Sequence, residues 1–104
     1  MAKLIALYRH PQDVAHFDAY YLSKHVPLAR TIPGLRRYEV SRGPVATPQG
    51  TSEFHLAAIL SFDSMQGIQA ALSSPEGRAT GDDLVKFASG GVDLLVFDSA
   101  ELQV

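Results

Sequence analysis

The sequence that decides the fold lies between residues 13 and 40 and reads DVAHFDAYYLSKHVPLARTIPGLRRYEV. Asp13 is suited to cap a helix, because its carboxylate can accept hydrogen bonds from the free N–H groups of the first turn. Apolar or aromatic residues then recur at steps of three, four, seven and four, at positions Val14, Phe17, Tyr21, Leu28 and Ile32. At about 100° per residue these positions share one face, so the pattern predicts an amphipathic helix.

His25 fills the gap in this apolar stripe. A polar ring that faces a core needs a hydrogen-bond partner or a wet cavity, since burying it unsatisfied costs about 1–3 kcal/mol. Two interpretations are therefore open: a core histidine with both nitrogens satisfied, or a residue that lines a pocket. Pro27 has no N–H to give the Ser23 carbonyl, so the helix should kink there or restart with Pro27 as its first residue.

The segments on either side of this helix read as strands. Residues 2–9 form a short apolar run that predicts the first strand, and residues 35–40 predict the second after the Pro33-Gly34 turn. Residues 43–52 carry two prolines and two glycines and predict an exposed, mobile loop. Residues 53–62 alternate in a way that leaves one face fully apolar and the other partly so, which is typical of a central strand.

The last third of the chain reads as helical and ends in a strand. Asp63 or Ser64 can cap a helix whose Met65, Ile68 and Leu72 face inward. Ser74-Pro75 interrupts this helix and starts a new turn. Asp82-Asp83 then begins a further helical piece with three residues inward, and Gly90-Gly91 ends it before a strand over residues 92–97. The inward residues of that piece are Leu84, Phe87 and Ala88.

Together these elements predict an α+β fold of the ferredoxin-like βαββαβ type, a four-stranded antiparallel sheet with helices on one face. Predicted strands one and three lie in its middle. The first, third and fourth strands carry apolar residues on both faces, whereas two helices can cover only one. A second copy of the same sheet is the simplest cover for the other face, so we expect a homodimer.

Composition limits the class of protein. With 104 residues and 46% hydrophobic content, the chain suits one globular domain, residues 1–104. No apolar run reaches the ~18 residues of a membrane span and the start of the chain leads directly into a strand, so we expect a soluble cytoplasmic protein with no membrane partner. The absence of cysteine excludes disulfides and thiolate chemistry. A net charge of −2 argues against nucleic acid as a partner.

Several kinds of site lack their sequence signals. His16 and His25 point to opposite sides of a helix, and His10 and His55 have no metal-ligating residue at a suitable spacing, so we expect no metal. Glycine-rich nucleotide-binding motifs and the aromatic run of RNA-recognition domains are also absent, and we expect no cofactor. A Ser-His-Asp arrangement is open geometrically, but the G-x-S-x-G elbow is missing.

The remaining chemistry lies with His25 and the tyrosines that can reach the same space, of which Tyr38 is the foremost. A histidine titrates near neutrality and a phenol donates one hydrogen bond, so together they could hold and polarise a carbonyl, phenol or carboxylate in an apolar pocket. The alternative is that these tyrosines are ordinary core or edge aromatics.

Three segments resemble the EthD family, within the dimeric α/β-barrel superfamily. They are residues 17–21 (FDAYY) with 25–29 (HVPLA), residues 32–38 (IPGLRRY) and residues 83–92 (DLVKFASGGV). The resemblance implies a ferredoxin-like subunit that dimerises sheet to sheet, with a pocket between the sheet and the helices of each subunit. It thereby favours His25 as a pocket residue.

The resemblance also bears on activity. The family is named after a gene cluster for degradation of a fuel ether, in which its role is accessory, and its members are often labelled oxidoreductases. A more distant relative, methylmuconolactone methylisomerase, is similar in using a histidine and a tyrosine at positions that His25 and Tyr38 match, although its pocket also holds cysteines that this chain lacks. Other members of the superfamily are cofactor-free monooxygenases of polycyclic phenols.

Two hypotheses follow for function. In the first, the chain is a cofactor-free oxidoreductase or isomerase that acts on a small aromatic, quinone or lactone compound, with His25 as acid/base and Tyr38 as orienting donor. Phe17, Tyr21 and Leu28 would then contact the substrate. In the second, the same pocket makes it a non-catalytic accessory or carrier protein for such a compound in catabolism. A second titratable group close to His25 would favour the enzyme.

Overall fold

The computed structural model describes residues 1–104 and contains six strands and four α-helices. A π-helical turn separates α1 from α2, and a 3-10 turn follows α4. In chain order the elements are β1 (Ala2–Arg9), α1 (Val14–Tyr20), the π turn (Tyr21–His25), α2 (Val26–Ala29), β2 (Arg37–Val40), β3 (Ala46–Thr47), β4 (Gly50–Thr51), β5 (Phe54–Phe62), α3 (Met65–Ser73), α4 (Pro75–Asp83), the 3-10 turn (Leu84–Lys86) and β6 (Val92–Asp98).

The main sheet has the strand order β2-β5-β1-β6 and is antiparallel throughout. Ala6 stands at its centre, opposite Ala58 on one side and Leu94 on the other. This is the ferredoxin-like arrangement that the sequence predicts, and the first and third predicted strands are indeed the central ones. The fold class is therefore confirmed as α+β.

The core lies between the sheet and the helices. Along β1 every second residue is buried, from Ala2 to Tyr8, because side chains alternate across a strand. Alternate residues of β5 join them on the same face, and Phe17 and Ile68 close the layer from the helices.

The helix-free face of the sheet is also apolar. Ile5 and Ile59 are half-buried there, opposite one another on neighbouring strands. On β6, Leu95 is 51% exposed and Phe97 is 45% exposed. One copy of the chain thus leaves an apolar sheet surface without a protein cover.

The first helix is interrupted just before Pro27. Asp13 caps α1 as predicted, since its carboxylate accepts the His16 N–H at 3.0 Å. Between Tyr21 and His25 the backbone is π-helical, and the Val26 N–H donates to the Tyr21 carbonyl. Pro27 then lies in the first turn of α2, which continues the helix directly from the π turn, since His25 and Val26 both have helical backbone angles. The predicted irregularity is present, but it begins one turn earlier than Pro27.

Three local predictions are wrong. Residues 43–52 include a short β-hairpin rather than loop alone. Val14, predicted to face inward, is 47% exposed. Asp82-Asp83 does not begin a helix. Ser74 caps α4 earlier in the chain, where its hydroxyl oxygen accepts the Gly77 N–H at 3.0 Å, and that helix extends to Asp83.

None of the helices has the length and apolar composition that a membrane-spanning helix requires.

Candidate functional site

His25 is 3% exposed and is hydrogen-bonded at one ring nitrogen to a carboxylate. Its Nδ1 lies 3.0 Å from Oδ2 of Asp83, at the end of α4. Its Nε2 lies 3.5 Å from the hydroxyl of Tyr8 on β1, a long contact that orients the ring weakly. The strong hydrogen bond is therefore the one to Asp83.

Asp83 is the site residue that sequence reasoning missed. Its carboxylate is 6% exposed and accepts a second hydrogen bond, from the Tyr20 hydroxyl to Oδ1 at 2.7 Å. Lys86 places its Nζ 3.8 Å from the same oxygen. Asp83 is 58 residues from His25 in sequence, so no local spacing connects the two residues. The one sequence signal that could have identified Asp83 is its position at the start of DLVKF, a segment that resembles the EthD family.

The environment favours a neutral imidazole beside an ionised carboxylate. Burial lowers the pKa of His25. The hydrogen bond and the negative charge of Asp83 raise this pKa, but the effect of burial is larger. Burial raises the pKa of Asp83, but the hydrogen bonds from Tyr20 and His25 outweigh it and hold that pKa below its usual value. An ionised carboxylate only accepts, so Nδ1 carries the hydrogen and Nε2 presents its lone pair.

A small cavity of about 70 Å³ adjoins His25. It lies between the sheet, the first helical segment and α4, and its lining is mostly apolar. Leu72 and Leu94 stand at its solvent-exposed side, while Gly77 and Gly81 leave α4 without bulky side chains there. The lining residues are Leu4, Ala6, Tyr8, Tyr21, His25, Ala29, Ile32, Tyr38, Ala58, Leu60, Leu72, Gly77, Thr80, Gly81, Leu84 and Leu94.

Tyr21 and Tyr38 meet His25 at this cavity. Their hydroxyl oxygens are 2.7 Å apart, which links the π turn to strand β2. Burial raises the pKa of both tyrosines, so both are neutral hydrogen-bond donors at physiological pH. The π turn brings the Tyr21 and His25 rings to a centroid distance of 5.4 Å.

The other two predicted contact residues do not line the cavity. Phe17 has no exposed surface and stacks parallel to Tyr21 on its far side, with ring centroids 5.8 Å apart. Leu28 is half-buried on α2 and is not among the residues that line the cavity. The structure thus brings together His25, Tyr38 and Tyr21 and leaves Phe17 as their support. No group of three or more histidine or acidic side chains is arranged to hold a metal ion.

Comparison with known proteins identifies close relatives. The model of the EthD domain matches residues 9–91. An uncharacterized 11.0 kDa protein from the thcB-thcC intergenic region of Rhodococcus erythropolis is 39% identical over 98 residues, covering 94% of each chain. The crystal structure of an EthD family protein from Bacillus halodurans c-125 is 41% identical, with a TM-score of 0.88, and covers 96% of this chain and 99% of that one.

More distant structures share the fold alone. A dimeric ferredoxin-like protein of unknown function from Thermobifida fusca yx is 18% identical, with a TM-score of 0.68, covering 92% of this chain and 88% of that one. SnoaB from Streptomyces nogalater, described as a cofactor-independent oxygenase, is 14% identical, with a TM-score of 0.65, covering 97% and 93%.

Proposed function

This chain belongs to the EthD family, and from that premise we propose that it is a cofactor-free enzyme, an oxidoreductase or isomerase, with His25 as its general base. The substrate is a small aromatic, quinone or lactone compound bound in the cavity between the first helix and the sheet. The observation that carries this proposal is the 3.0 Å hydrogen bond between His25 and Asp83.

The His25–Asp83 pair supplies what a base at neutral pH requires. Asp83 fixes the tautomer, so the Nε2 lone pair is ready to accept a proton, and its negative charge stabilises the imidazolium that then forms. Removing the proton of a phenol gives the electron-rich phenolate, and removing one next to a lactone carbonyl begins an isomerisation. Both reaction classes therefore share this first step.

Tyr38 serves as the orienting donor. A neutral phenol at the cavity wall can donate its hydrogen to a substrate oxygen, and Tyr21 holds it in place through the 2.7 Å contact between the hydroxyls. The oxygen that receives this hydrogen bond is the one on which negative charge develops when His25 takes the proton.

The size of the cavity limits the substrate. A cavity of about 150 Å³ accommodates benzene, whereas this one measures about 70 Å³. A ring compound must therefore displace Leu72 and Leu94, which are 44% and 54% exposed and border solvent rather than core. Compounds of one ring suit this site better than polycyclic ones.

The assembly we propose is a homodimer that buries the helix-free face of the sheet. Ile5, Ile59, Leu95 and Phe97 give that face an apolar surface, and the Thermobifida relative is described as dimeric. An interface of standard specific size would bury about 800 Å² on each subunit.

The apolar lining also supports the alternative function, a carrier that binds such a compound without converting it. Asp83 does not line the cavity, so the only titratable side chains at its wall are His25 and tyrosines. A carrier would use His25 as a hydrogen-bonding group alone.

The test is to incubate the protein with phenol, a one-ring quinone or an unsaturated γ-lactone, and to follow binding by NMR and turnover by oxygen uptake or product analysis. We expect His25→Gln to abolish turnover while the dimer stays intact. His16→Gln is the matched control, because His16 is exposed and lies on α1 outside the cavity. Binding without turnover by the wild type would favour the carrier, and unchanged turnover in His25→Gln would refute the proposed base.

A further inference from the structure

A second cleft, separate from the His25 cavity, opens beside the start of β5. It measures about 600 Å³, within the usual range for small-molecule sites, and shares no lining residue with that cavity. Its walls come from the end of β1, from α1, from the segment after β2 and from the small hairpin. We propose that this cleft binds an aromatic diol of the catechol class through His10 and His55.

A β-bulge gives His55 its place in the cleft. The register between β1 and β5 moves from Tyr8 opposite Leu56 to Arg9 opposite Phe54, so that His55 is an extra residue with no partner. The bulge turns its side chain to the helix side, where the ring meets Phe17 edge-on at 4.9 Å. Bulges of this kind occur frequently next to functional sites because they redirect a side chain.

The two histidines stand side by side, with each Nε2 already used. His55 Nε2 donates to the Asp18 carboxylate at 2.8 Å, and His10 Nε2 donates to the Ser52 carbonyl at 3.1 Å. Both partner oxygens only accept, so in the neutral rings both Nδ1 atoms carry lone pairs. Neither Nδ1 has a partner in the chain, and the ring centroids are 5.9 Å apart.

The cleft thus offers hydrogen-bond acceptors to a ligand that donates. Two imidazole nitrogens and the free oxygen of Asp18 suit hydroxyl hydrogens, and no lysine or arginine lines the cleft to attract an anion. Phe54 and Leu56 supply apolar wall beside these acceptors. Adjacent hydroxyls on a flat apolar ring match this combination, whereas an anionic or purely aliphatic ligand matches only part of it.

The experiment titrates the full chain with catechol and, in parallel, with 1,2-dimethoxybenzene, which has the same ring but no hydroxyl donors. We expect catechol to shift the amide resonances of Thr51 and Ser52, independently of any shift that binding in the His25 cavity produces at Thr80 and Gly81. The dimethoxy compound should bind at least tenfold more weakly, as expected after two hydrogen bonds are lost.

Substitutions then assign the contact. His10→Phe keeps a ring at an exposed position but removes the acceptor, so the Kd for catechol should rise about three- to tenfold. His16→Phe is the control, because His16 is also exposed and also donates its Nε2 hydrogen to a backbone carbonyl, that of Lys86, but lies outside the cleft. It should leave the Kd unchanged.

Three outcomes would overturn the proposal: equal binding of the two compounds, an unchanged Kd in His10→Phe, or catechol shifts confined to Thr80 and Gly81. The second cleft is independent of the function proposed for His25. His25→Gln should therefore leave catechol binding at Thr51 and Ser52 intact even if it abolishes turnover.

Discussion

Replacing Asp83 with asparagine tests the candidate site most directly. The substitution keeps the size of the side chain but removes its charge and one of its two acceptor oxygens. Tyr20 and His25 both donate to that carboxylate, at 2.7 and 3.0 Å. Hydrogen bonds to a charged group contribute about 1.5–3 kcal/mol, against about 0.5–1.5 kcal/mol for neutral pairs. The loss over two bonds is therefore about 2–3 kcal/mol.

The same substitution changes the chemistry of His25. An asparagine can keep its oxygen toward Tyr20 only by turning its amide NH₂ toward Nδ1 of His25. The ring then accepts at Nδ1 and carries its hydrogen on Nε2, so the lone pair that a base requires is lost. We expect Asp83→Asn to stay folded, since a domain of this size has about 5–15 kcal/mol of stability, and to lose turnover.

The assays are urea denaturation, which gives the free energy of unfolding, and ¹⁵N NMR of the His25 ring, which identifies the protonated nitrogen. Asp82→Asn is the matched control, because Asp82 is adjacent on α4 and exposed. A stability loss below about 0.5 kcal/mol, within the range of an ordinary surface substitution, together with an unchanged tautomer, would refute the role given to Asp83.

Three other predictions concern pH, packing and assembly. Burial lowers the pKa of His25 from its ordinary value of 6.5, so below about pH 6.5 the unfolded chain binds a proton that the folded one does not. The free energy of unfolding should therefore decrease as the pH is lowered from 7.5 to 5.5, and it should decrease less in His25→Phe. Urea denaturation at the two pH values measures this difference. Gly77→Ala should cost about 3 kcal/mol or more, since the new Cβ would lie 2.0 Å from the Ala71 carbonyl oxygen, whereas Gly81→Ala, with open space, should be tolerated. Ile59→Asp should dissociate or unfold the proposed dimer, because an unpaired buried charge costs several kcal/mol; light scattering that shows an intact dimer would contradict that interface.

The parts of the fold that could be predicted from sequence are those with a strong local pattern. Strand β1 has the bounds expected from its apolar run, residues 2–9, and Asp13 and Ser64 cap helices as their positions predict. Helix α4 was harder to recognise, because its sequence PEGRATGDD has no apolar periodicity. It packs through a glycine and a buried aspartate instead, and neither residue signals a core-facing helix.

The candidate site was half predictable for a related reason. His25 and Tyr38 could be placed because the helix, the turn and β2 are consecutive in the chain. Asp83 comes from α4, and nothing local distinguishes a carboxylate that caps a helix from one that is buried against a histidine. For His55 the sequence predicts a regular alternation, since a bulge adds one residue without any change in composition.

The π-helical turn from Tyr21 to His25 makes the site tolerant of one change in chain length. In a π turn one residue more is wound into the helix than an α-helix would hold. Deleting a single exposed residue such as Ser23 would remove that surplus and allow α-helical winding, with Tyr21 and the histidine three residues apart and still on one face, since three residues turn by about 300°. We therefore expect relatives with one residue fewer between Phe17 and Ala29 to keep a histidine facing Asp83. A deletion in the regular part of a helix, by contrast, turns every later side chain by about 100°, so the position of a deletion decides whether a homologue keeps the chemistry or only the architecture.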